Sequence, residues 1–207
     1  MKNALTAAAV LGLALSAPLA NAEDSSTPAV DPAVAESTAT HTCQNCHGAH
    51  GNSTSATFPR LNGQQADYIE TQLKNFRSHS RTDPHARAYM WGMASQLDDA
   101  LIAGLAKYYA GQSPTQPQSG GELAAQGKKI YLEGVPAEAI PPCQACHGEH
   151  GEGNAAFPRL AGQHADYLRK QLEAFRSTLR ESDVMHANTK DMTNHQIEAV
   201  VSYLANE

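Results

Sequence analysis

The sequence lacks a surplus of basic charge, and this absence limits the partners that the protein can bind. Its 207 residues include 15 lysines and arginines against 21 aspartates and glutamates, which gives a formal net charge of −6. Both halves of the chain are acidic, and neither has the basic surface that binding to a polyanion requires. The composition therefore excludes nucleic acid as a partner.

Long apolar runs are also scarce. One run covers residues 4–15, follows Lys2 and precedes the small residues Ala20 and Ala22, which is the pattern of a cleavable export signal. We interpret residues 1–22 as a secretory signal peptide, because the run is too short to span a bilayer comfortably. An uncleaved membrane anchor is the alternative. No later segment is apolar enough to be predicted as a membrane span.

Cysteines are few, and all four occur in two copies of one motif. C-Q-N-C-H fills residues 43–47, and C-Q-A-C-H fills residues 143–147. C-x-x-C-H is the attachment signature of c-type haem, in which two thiols bond to one porphyrin and the histidine ligates its iron. A disulfide within C-x-x-C would close almost no loop and would leave the histidines unexplained.

The duplicated motif predicts two covalently bound haem c groups. A zinc half-site or a dithiol redox pair is the alternative for a single motif, and the duplication disfavours both. We assign four thioether donors and two proximal iron ligands: Cys43, Cys46, Cys143, Cys146, His47 and His147.

The two motifs belong to a longer internal repeat. The matching segments are F-P-R-L-N-G-Q at 58–64 with F-P-R-L-A-G-Q at 157–163, A-D-Y at 66–68 with 165–167, and F-R-S at 76–78 with 175–177. Two copies of one unit predict two domains. The segment between the copies is rich in proline, glycine and polar residues and has no apolar period, so a linker is predicted at 113–121.

Each copy has the periodicity of helices. Ile69, Leu73 and Phe76 recur at helical spacing, as do the matching residues of the second copy, which predicts one amphipathic helix in each. Asp98 is positioned to cap a closing helix in the first copy, and Thr193-x-x-Gln196 is a capping box in the second. Strand signals are nearly absent, so the predicted fold class is all-α.

These patterns divide the chain into five parts. The signal peptide is predicted at 1–22, and a small, polar, proline-containing flexible leader at 23–40. The haem domains are predicted at 41–112 and 122–207, on either side of the linker.

Each iron needs a second ligand from outside its motif. Aligning the closing helices of the two copies places Met90 on Met185, whereas Met93 and Met192 have no methionine counterpart. We predict Met90 and Met185 as the distal ligands, because sulfur suits low-spin haem iron and raises its potential. Met93 and Met192 are expected to pack in the core, with Met93 an alternative to Met90.

Histidine is the other candidate for the distal position. Five histidines are not repeated between the copies and are expected to be exposed or locally bonded: His79, His85, His164, His186 and His195. Among them His186 competes with its neighbour Met185. His50 and His150 are repeated three residues after each proximal histidine. They are either turn residues or protonatable groups that make the haem potential fall as the pH rises.

Two further repeated pairs surround the predicted haems. Pro59 and Pro158 are either simple turn residues or the source of a carbonyl that holds the second nitrogen of the proximal histidine. Arg60 and Arg159 are either solvated or partners of the haem propionates, because a guanidinium fork matches a carboxylate.

Together these residues make the chain resemble the diheme cytochrome c4 family over nearly the whole predicted mature length. Both C-x-x-C-H-G and F-P-R-L-x-G-Q segments, the Q-L-x-x-F-R-S helices and the spacings to Met90 and Met185 form the basis of the resemblance. It implies two tandem class I cytochrome c-like domains, each wrapped around one haem and related by a pseudo-twofold. It also implies propionates that face each other, His/Met ligation, the carbonyl role for Pro59 and Pro158, and a bacterial periplasmic location.

The resemblance also implies a function. A protein of this family would move single electrons from a cytochrome bc1-type complex or a small redox donor to a terminal oxidase, with no substrate turnover of its own. The electron-accepting subunit of a flavoenzyme such as sulfide dehydrogenase is one alternative, and a diheme peroxidase or thiosulfate-oxidising enzyme is another. A loose association with the membrane is compatible with the sequence.

Two features depart from the family pattern. Residues 30–41 are short and rich in alanine and threonine, so the leading helix of the first domain is expected to be shortened or missing, with a more exposed first haem. The second domain, in contrast, has a leading helix with Leu123, Gly127 and Ile130 on one face. His50 and His150 stand where a small or acidic residue is expected.

Overall fold

The computed structural model describes residues 30–207, which form two helical domains joined by an extended segment. Within this part of the chain ten α-helices occur: α1 Pro32–Thr38, α2 Gln44–His47, α3 Ala66–Arg77, α4 Trp91–Ala94, α5 Asp99–Ala110, α6 Glu122–Glu133, α7 Gln144–His147, α8 Ala165–Arg176, α9 Asp183–Thr189 and α10 Asn194–Asn206. Two isolated β-bridges are the only strand-like pairings of residues 30–207. The all-α prediction is confirmed, while the predicted signal peptide lies outside the described residues.

The first domain is built on the packing of α3 and α1 against α5. Ile69 from α3 and Leu105 and Tyr109 from α5 are buried together in its core. The helical spacing of Ile69, Leu73 and Phe76 predicts the buried position of Ile69. The α5 helix begins where its sequence signal places it, because the Asp98 carboxylate accepts a hydrogen bond of 2.8 Å from the Leu101 N–H. A second, smaller cluster contains Phe76 beside Met90.

The end of the predicted leader is part of this domain. The α1 helix begins with a proline after Asp31, whose carboxylate caps it by accepting from the Ala33 N–H at 2.9 Å. It continues through a π-helical turn, Ala39–Cys43, into α2. Ala35 and Ala39 are almost fully buried. The prediction of a flexible leader up to residue 40 is therefore wrong for this segment. The leading helix, expected to be shortened or missing, is present, and its seven residues make it shorter than the twelve-residue α6.

The second domain has the same plan with a longer first helix. Here α6 crosses α10 and α8 packs against α10, around a core that includes Tyr131, Ile197 and Val201. A Cβ on Gly127 would lie 1.8 Å from the Ala199 main-chain oxygen, so only glycine permits the close approach of α6 and α10. The predicted capping box of Thr193 is present at the start of α10.

The segment between the domains is extended and contacts both of them. Residues 113–121 contain no helix or strand. The Ser113 carbonyl accepts from the Asn62 side chain of the first domain at 2.8 Å, and the Gln118 N–H donates to the Asn206 carbonyl of the second at 2.7 Å. None of the helices in residues 30–207 is long and apolar enough to cross a membrane.

Candidate haem centres and the domain interface

Each C-x-x-C-H motif forms one helical turn. In the first domain Cys43 directly precedes α2, and Cys46 and His47 lie within it. Because Cys43 and His47 are four residues apart, the Cys43 thiol and the His47 imidazole lie on the same face of the turn. The second domain repeats this arrangement in α7. The four cysteines form no disulfide with one another. This is the donor set that a covalently attached porphyrin requires.

The chemistry of the thiols disfavours the alternatives to haem. Burial raises the pKa of the Cys43 thiol and raises that of Cys143 to about 11, whereas a reactive dithiol pair needs a lowered pKa. A structural zinc ion needs four ligands. Nowhere in residues 30–207 do three histidine, cysteine, aspartate or glutamate side chains gather to hold a metal ion.

The proximal histidines are oriented by backbone carbonyls. The Nδ1 atom of His47 lies 2.9 Å from the Pro59 oxygen, and that of His147 lies 3.1 Å from the Pro158 oxygen. Because a carbonyl only accepts, Nδ1 is the protonated nitrogen and Nε2 keeps the lone pair that binds iron. Burial lowers the pKa of both imidazoles and favours this neutral form. Both rings therefore fit the proximal position of a haem.

The two methionines assigned as distal ligands occupy corresponding segments. Met90 ends a π-helical turn, Ala86–Met90, directly before α4, and Met185 lies in the first turn of α9. Both side chains are half-buried. Met192 packs in the core as predicted, but Met93 is 48% exposed, so its predicted core position is wrong. The inward face of α4 is occupied instead by the fully buried Ala94.

The five unrepeated histidines all contact other protein groups, four of them within their own domain. His186 Nδ1 donates to the Phe175 carbonyl at 3.0 Å, and His195 Nε2 lies 3.1 Å from the Gln126 side-chain oxygen. His79 stacks on Trp91, His85 makes an edge contact with Tyr89, and His164 donates to the Ser53 carbonyl. Four of these contacts agree with the expectation of exposed or locally bonded histidines, whereas His164 bonds to the opposite domain.

The repeated histidines lie in the turns after the motifs. His50 has a φ of 56°, in the left-handed region that histidine tolerates better than most residues, and its Nδ1 is 3.4 Å from the Tyr108 hydroxyl. His150 is exposed and pairs with the Glu207 carboxylate at 2.8 Å, and this hydrogen bond raises its pKa. The geometry favours turn residues over groups that face the haem sites.

The two arginines of the F-P-R-L-x-G-Q segments differ in their partners. Arg60 donates from Nε to the Ser53 carbonyl at 3.3 Å and from Nη1 to the Gly162 carbonyl across the interface. Arg159 has a buried Nε–H with no hydrogen-bond partner among residues 30–207. An orphaned guanidinium donor fits an anionic group such as a haem propionate. The structure thus favours Arg159 over Arg60 as a propionate partner.

The last residue of each F-P-R-L-x-G-Q segment joins the two domains. Gln64 accepts from the Arg159 N–H at 2.7 Å and donates to the Arg159 carbonyl at 2.9 Å. Gln163 makes the matching two bonds to Arg60, both at 2.9 Å. We call these buried residues the reciprocal glutamines. Their symmetry is direct evidence of the pseudo-twofold between the domains.

The residues that directly follow the reciprocal glutamines also bond to the main chain of the opposite domain. Gln65 donates to the Glu152 carbonyl at 2.9 Å, and His164 donates to the Ser53 carbonyl at the same distance. Each of these residues stands directly before the long helix of its own domain. The interface is thus built mainly from side chains that satisfy the main chain of the opposite domain.

A buried cluster at the interface was not predicted from the sequence. We call it the arginine cluster, and its members are Arg81, Asp83, Tyr68, Gln72, Arg180, Tyr167 and Gln171. Arg81 donates to Gln171 at 2.9 Å and Arg180 donates to Gln72 at 2.9 Å, so each guanidinium bonds to the opposite domain. The repeated pattern F-R-S-x-x-R at 76–81 and 175–180 is the signal that could have revealed it.

The charges of the arginine cluster are unequal. Arg81 pairs with the buried Asp83 carboxylate at 2.8 Å. Within residues 30–207, Arg180 bonds only to uncharged groups, among them the Tyr68 hydroxyl at 2.9 Å. Burial raises the pKa of Tyr68, but the nearby charges of Arg180 and Arg81 outweigh it and the net pKa is lowered. Two guanidinium groups therefore share one carboxylate.

Comparisons with known proteins agree with this architecture. The Cytochrome c family model matches residues 33–111 and 124–207. Cytochrome c4 of Thiocapsa roseopersicina is 38% identical over 180 residues, covering 84% of this chain and 91% of that protein. The thiosulfate dehydrogenase electron acceptor of Thiomonas intermedia is 36% identical over 171 residues, covering 79% of this chain and 77% of that protein.

A solved structure gives the same result in three dimensions. The cytochrome c4 of Acidithiobacillus ferrooxidans superposes with a TM-score of 0.76 at 41% identity, covering 80% of this chain and 98% of that one. The two matches to one family model, the two haem-attachment turns and the shared tandem fold lead to one conclusion: the chain belongs to the diheme cytochrome c4 family and is an electron-transfer protein with two covalently bound haem c groups.

Proposed function

We propose that this electron-transfer protein works in the periplasm, where it passes single electrons from a respiratory donor to a terminal oxidase. The observation that supports the proposal best is the near-identity of the two centres. Each combines a buried histidine held by a proline carbonyl with a methionine at the corresponding place in the repeat. A histidine and a methionine would together hold the iron of a bound haem, and a substrate would then have no free position on the iron.

The residues around each proposed haem would prepare the iron for electron transfer. When bound, haem supplies the one-electron couple between ferric and ferrous iron. His47 and His147 keep Nε2 unprotonated because Nδ1 is committed to a carbonyl. Met90 and Met185 offer sulfur, which favours the ferrous state. The reciprocal glutamines and the arginine cluster hold the two domains in one arrangement, so the distance between the centres stays constant.

The protein is proposed to have no turnover of its own. Its role would be limited to accepting an electron at one domain and releasing it from the other. The export signal predicted at residues 1–22 supports a periplasmic location. A cytochrome bc1-type complex or a small redox protein is the proposed donor.

A second function is favoured by one of the relatives. The Thiomonas intermedia protein is named as the electron acceptor of thiosulfate dehydrogenase, and it matches this chain over both domains. The second proposal is therefore that the donor is a thiosulfate-oxidising enzyme, with this chain as its separate electron acceptor.

An absorption spectrum of the matured holoprotein tests the ligation, and reduction kinetics test the donor. Low-spin spectra with the far-red sulfur-to-iron band, of which Met90→Ala and Met185→Ala each remove half, are expected. A high-spin spectrum, or a band that neither variant changes, would refute the carrier proposal. Reduction by a thiosulfate dehydrogenase with thiosulfate, but not by a bc1-type complex, would favour the second donor; the opposite pattern would favour the first.

A further inference from the structure

The residues that directly follow the two proposed distal methionines each donate a ring N–H to a main-chain carbonyl. Trp91 follows Met90, and its ring N–H donates to the Arg81 carbonyl at 2.8 Å. His186 follows Met185, and its Nδ1–H donates to the Phe175 carbonyl at 3.0 Å. Trp91 is the single tryptophan of the chain, and its counterpart in the second domain is a histidine. Tryptophan in the first copy and histidine in the second thus each supply a ring N–H donor at equivalent positions of the repeat.

Each acceptor lies in or after the long helix that precedes the methionine segment of its domain. The Phe175 carbonyl lies in the last turn of α8, and the Arg81 carbonyl lies just beyond the end of α3, where the main chain has no helical partners left. The α8 helix is fixed in the core by Leu168 and by the Phe175 ring itself. The α3 helix is fixed in the same way by Ile69, which corresponds to Leu168 in the repeat. The ring N–H groups therefore connect the methionine segments to a fixed frame.

The methionine segments have little stability of their own. In the first domain the segment is a five-residue π-helical turn followed by the four residues of α4, and in the second it is the seven-residue α9. Helices of this length do not persist without tertiary contacts, because nucleation is unfavourable. The orientation of each methionine consequently depends on the contacts made by its neighbours.

Trp91 is itself held on both sides. His79 stacks on the indole with 4.1 Å between ring centroids and 12° between planes, and the Arg87 guanidinium lies 5.4 Å from the indole centroid. The indole is thus fixed as well as bonded. It is also tied to the domain interface, because the residue that accepts its N–H is Arg81 of the arginine cluster.

We propose that Trp91 and His186 are positioning residues, which hold the thioethers of Met90 and Met185 in place for iron through their ring N–H bonds. The inference rests on the proposed His/Met ligation. It assigns His186 a role beside the distal ligand, since its Nδ1 is committed to the Phe175 carbonyl. Without the bond, each segment would release its methionine from iron more often.

The test measures how readily cyanide displaces methionine from iron in the holoprotein. Trp91→Phe and His186→Phe remove the N–H and keep an aromatic ring. Each is expected to raise the apparent cyanide affinity of its own haem about fivefold and to weaken half of the far-red band. That factor is the net contribution of one hydrogen bond, ~1 kcal/mol, converted to a binding ratio.

Two further variants separate the bond from general damage to the fold. His186→Asn keeps an amide N–H near the place of Nδ1 and is expected to restore the wild-type affinity. His195→Phe removes a surface histidine of the same domain and is expected to have no effect. Unchanged cyanide affinity in both Phe variants, in a protein that shows the far-red band, would overturn the inference and leave the carrier proposal intact. A wild-type protein without that band would overturn the ligation as well.

Discussion

Replacing Gln64 by leucine should loosen the domain interface without unfolding either haem domain. The change removes both bonds to Arg159 and leaves the N–H and the carbonyl of that residue without these partners at the partly buried interface. Each orphaned main-chain group costs about 1–3 kcal/mol, so the expected loss in interface stability is about 2–6 kcal/mol. This is a large fraction of the 5–15 kcal/mol by which a typical domain is stable.

Hydrogen exchange at Arg159 is the most direct assay. The amide of Arg159 is protected because its N–H donates to the Gln64 side-chain oxygen. A loss of about 2 kcal/mol in interface stability corresponds to roughly 30-fold faster exchange of this amide. The symmetric variant Gln163→Leu should produce the same change at Arg60. Thermal unfolding of both variants should become broader or split, because the two domains would no longer unfold together.

Gln112→Leu is the matched control. Gln112 donates to the Tyr108 carbonyl within its own domain, so its replacement should leave both arginine amides protected. If Gln64→Leu and Gln112→Leu had the same effect on exchange at Arg159 and on the unfolding curve, the idea that the reciprocal glutamines hold the domains together would be refuted.

Three further predictions concern packing, charge and capping. Gly127→Ala should lower the free energy of unfolding by several kcal/mol or prevent folding. Gly92→Ala should be tolerated, because a Cβ at this position would meet no described atom within 4 Å. Thermal unfolding of the two variants tests this difference. Burial raises the pKa of Asp83, but its pairing with Arg81 outweighs burial and lowers the net pKa, so stability should fall as the pH drops from about 4 through the folded-state value. Asp83→Asn should cost about 3–5 kcal/mol near neutrality and flatten this acid dependence in denaturant titrations. Thr193→Ala should lose about 1 kcal/mol and Thr193→Asn much less, as measured by the same titrations.

The sequence predicts those parts of the fold in which a local pattern and the final contacts agree. The spacing of Ile69, Leu73 and Phe76 and the caps at Asp98 and Thr193 each act within a few residues of the chain, and all are found in the structure. The haem-attachment turns are equally local, because both thiols and the proximal histidine lie within five residues.

The leading helix of the first domain, expected to be shortened or missing, has no clear sequence signal for a physical reason. Its buried residues are alanines, which give no apolar period, and they are buried because α1 approaches α5 at a glycine. A Cβ on Gly104 would lie 2.9 Å from the Ala35 Cβ. Close approach of small residues depends on the partner helix, so the segment itself does not reveal it.

The interface was missed because its contacts are distant in sequence. Arg81 meets Gln171 at a separation of 90 residues, and Arg180 meets Tyr68 at 112. The repeat marks such residues as paired but does not show that each one bonds to the opposite copy. Met93 illustrates a different limit, since methionine is common both in cores and on surfaces around binding sites.

The unequal charges of the arginine cluster determine which domains can associate. Ser182 stands at the place in the second domain that Asp83 has in the first, so only the first domain brings a carboxylate. Two second domains meeting face to face would bury two guanidinium groups with no counter-charge, an arrangement that costs several kcal/mol. A second domain is thereby prevented from pairing with its own copy, and exchange of domains between two molecules would still join a first domain to a second.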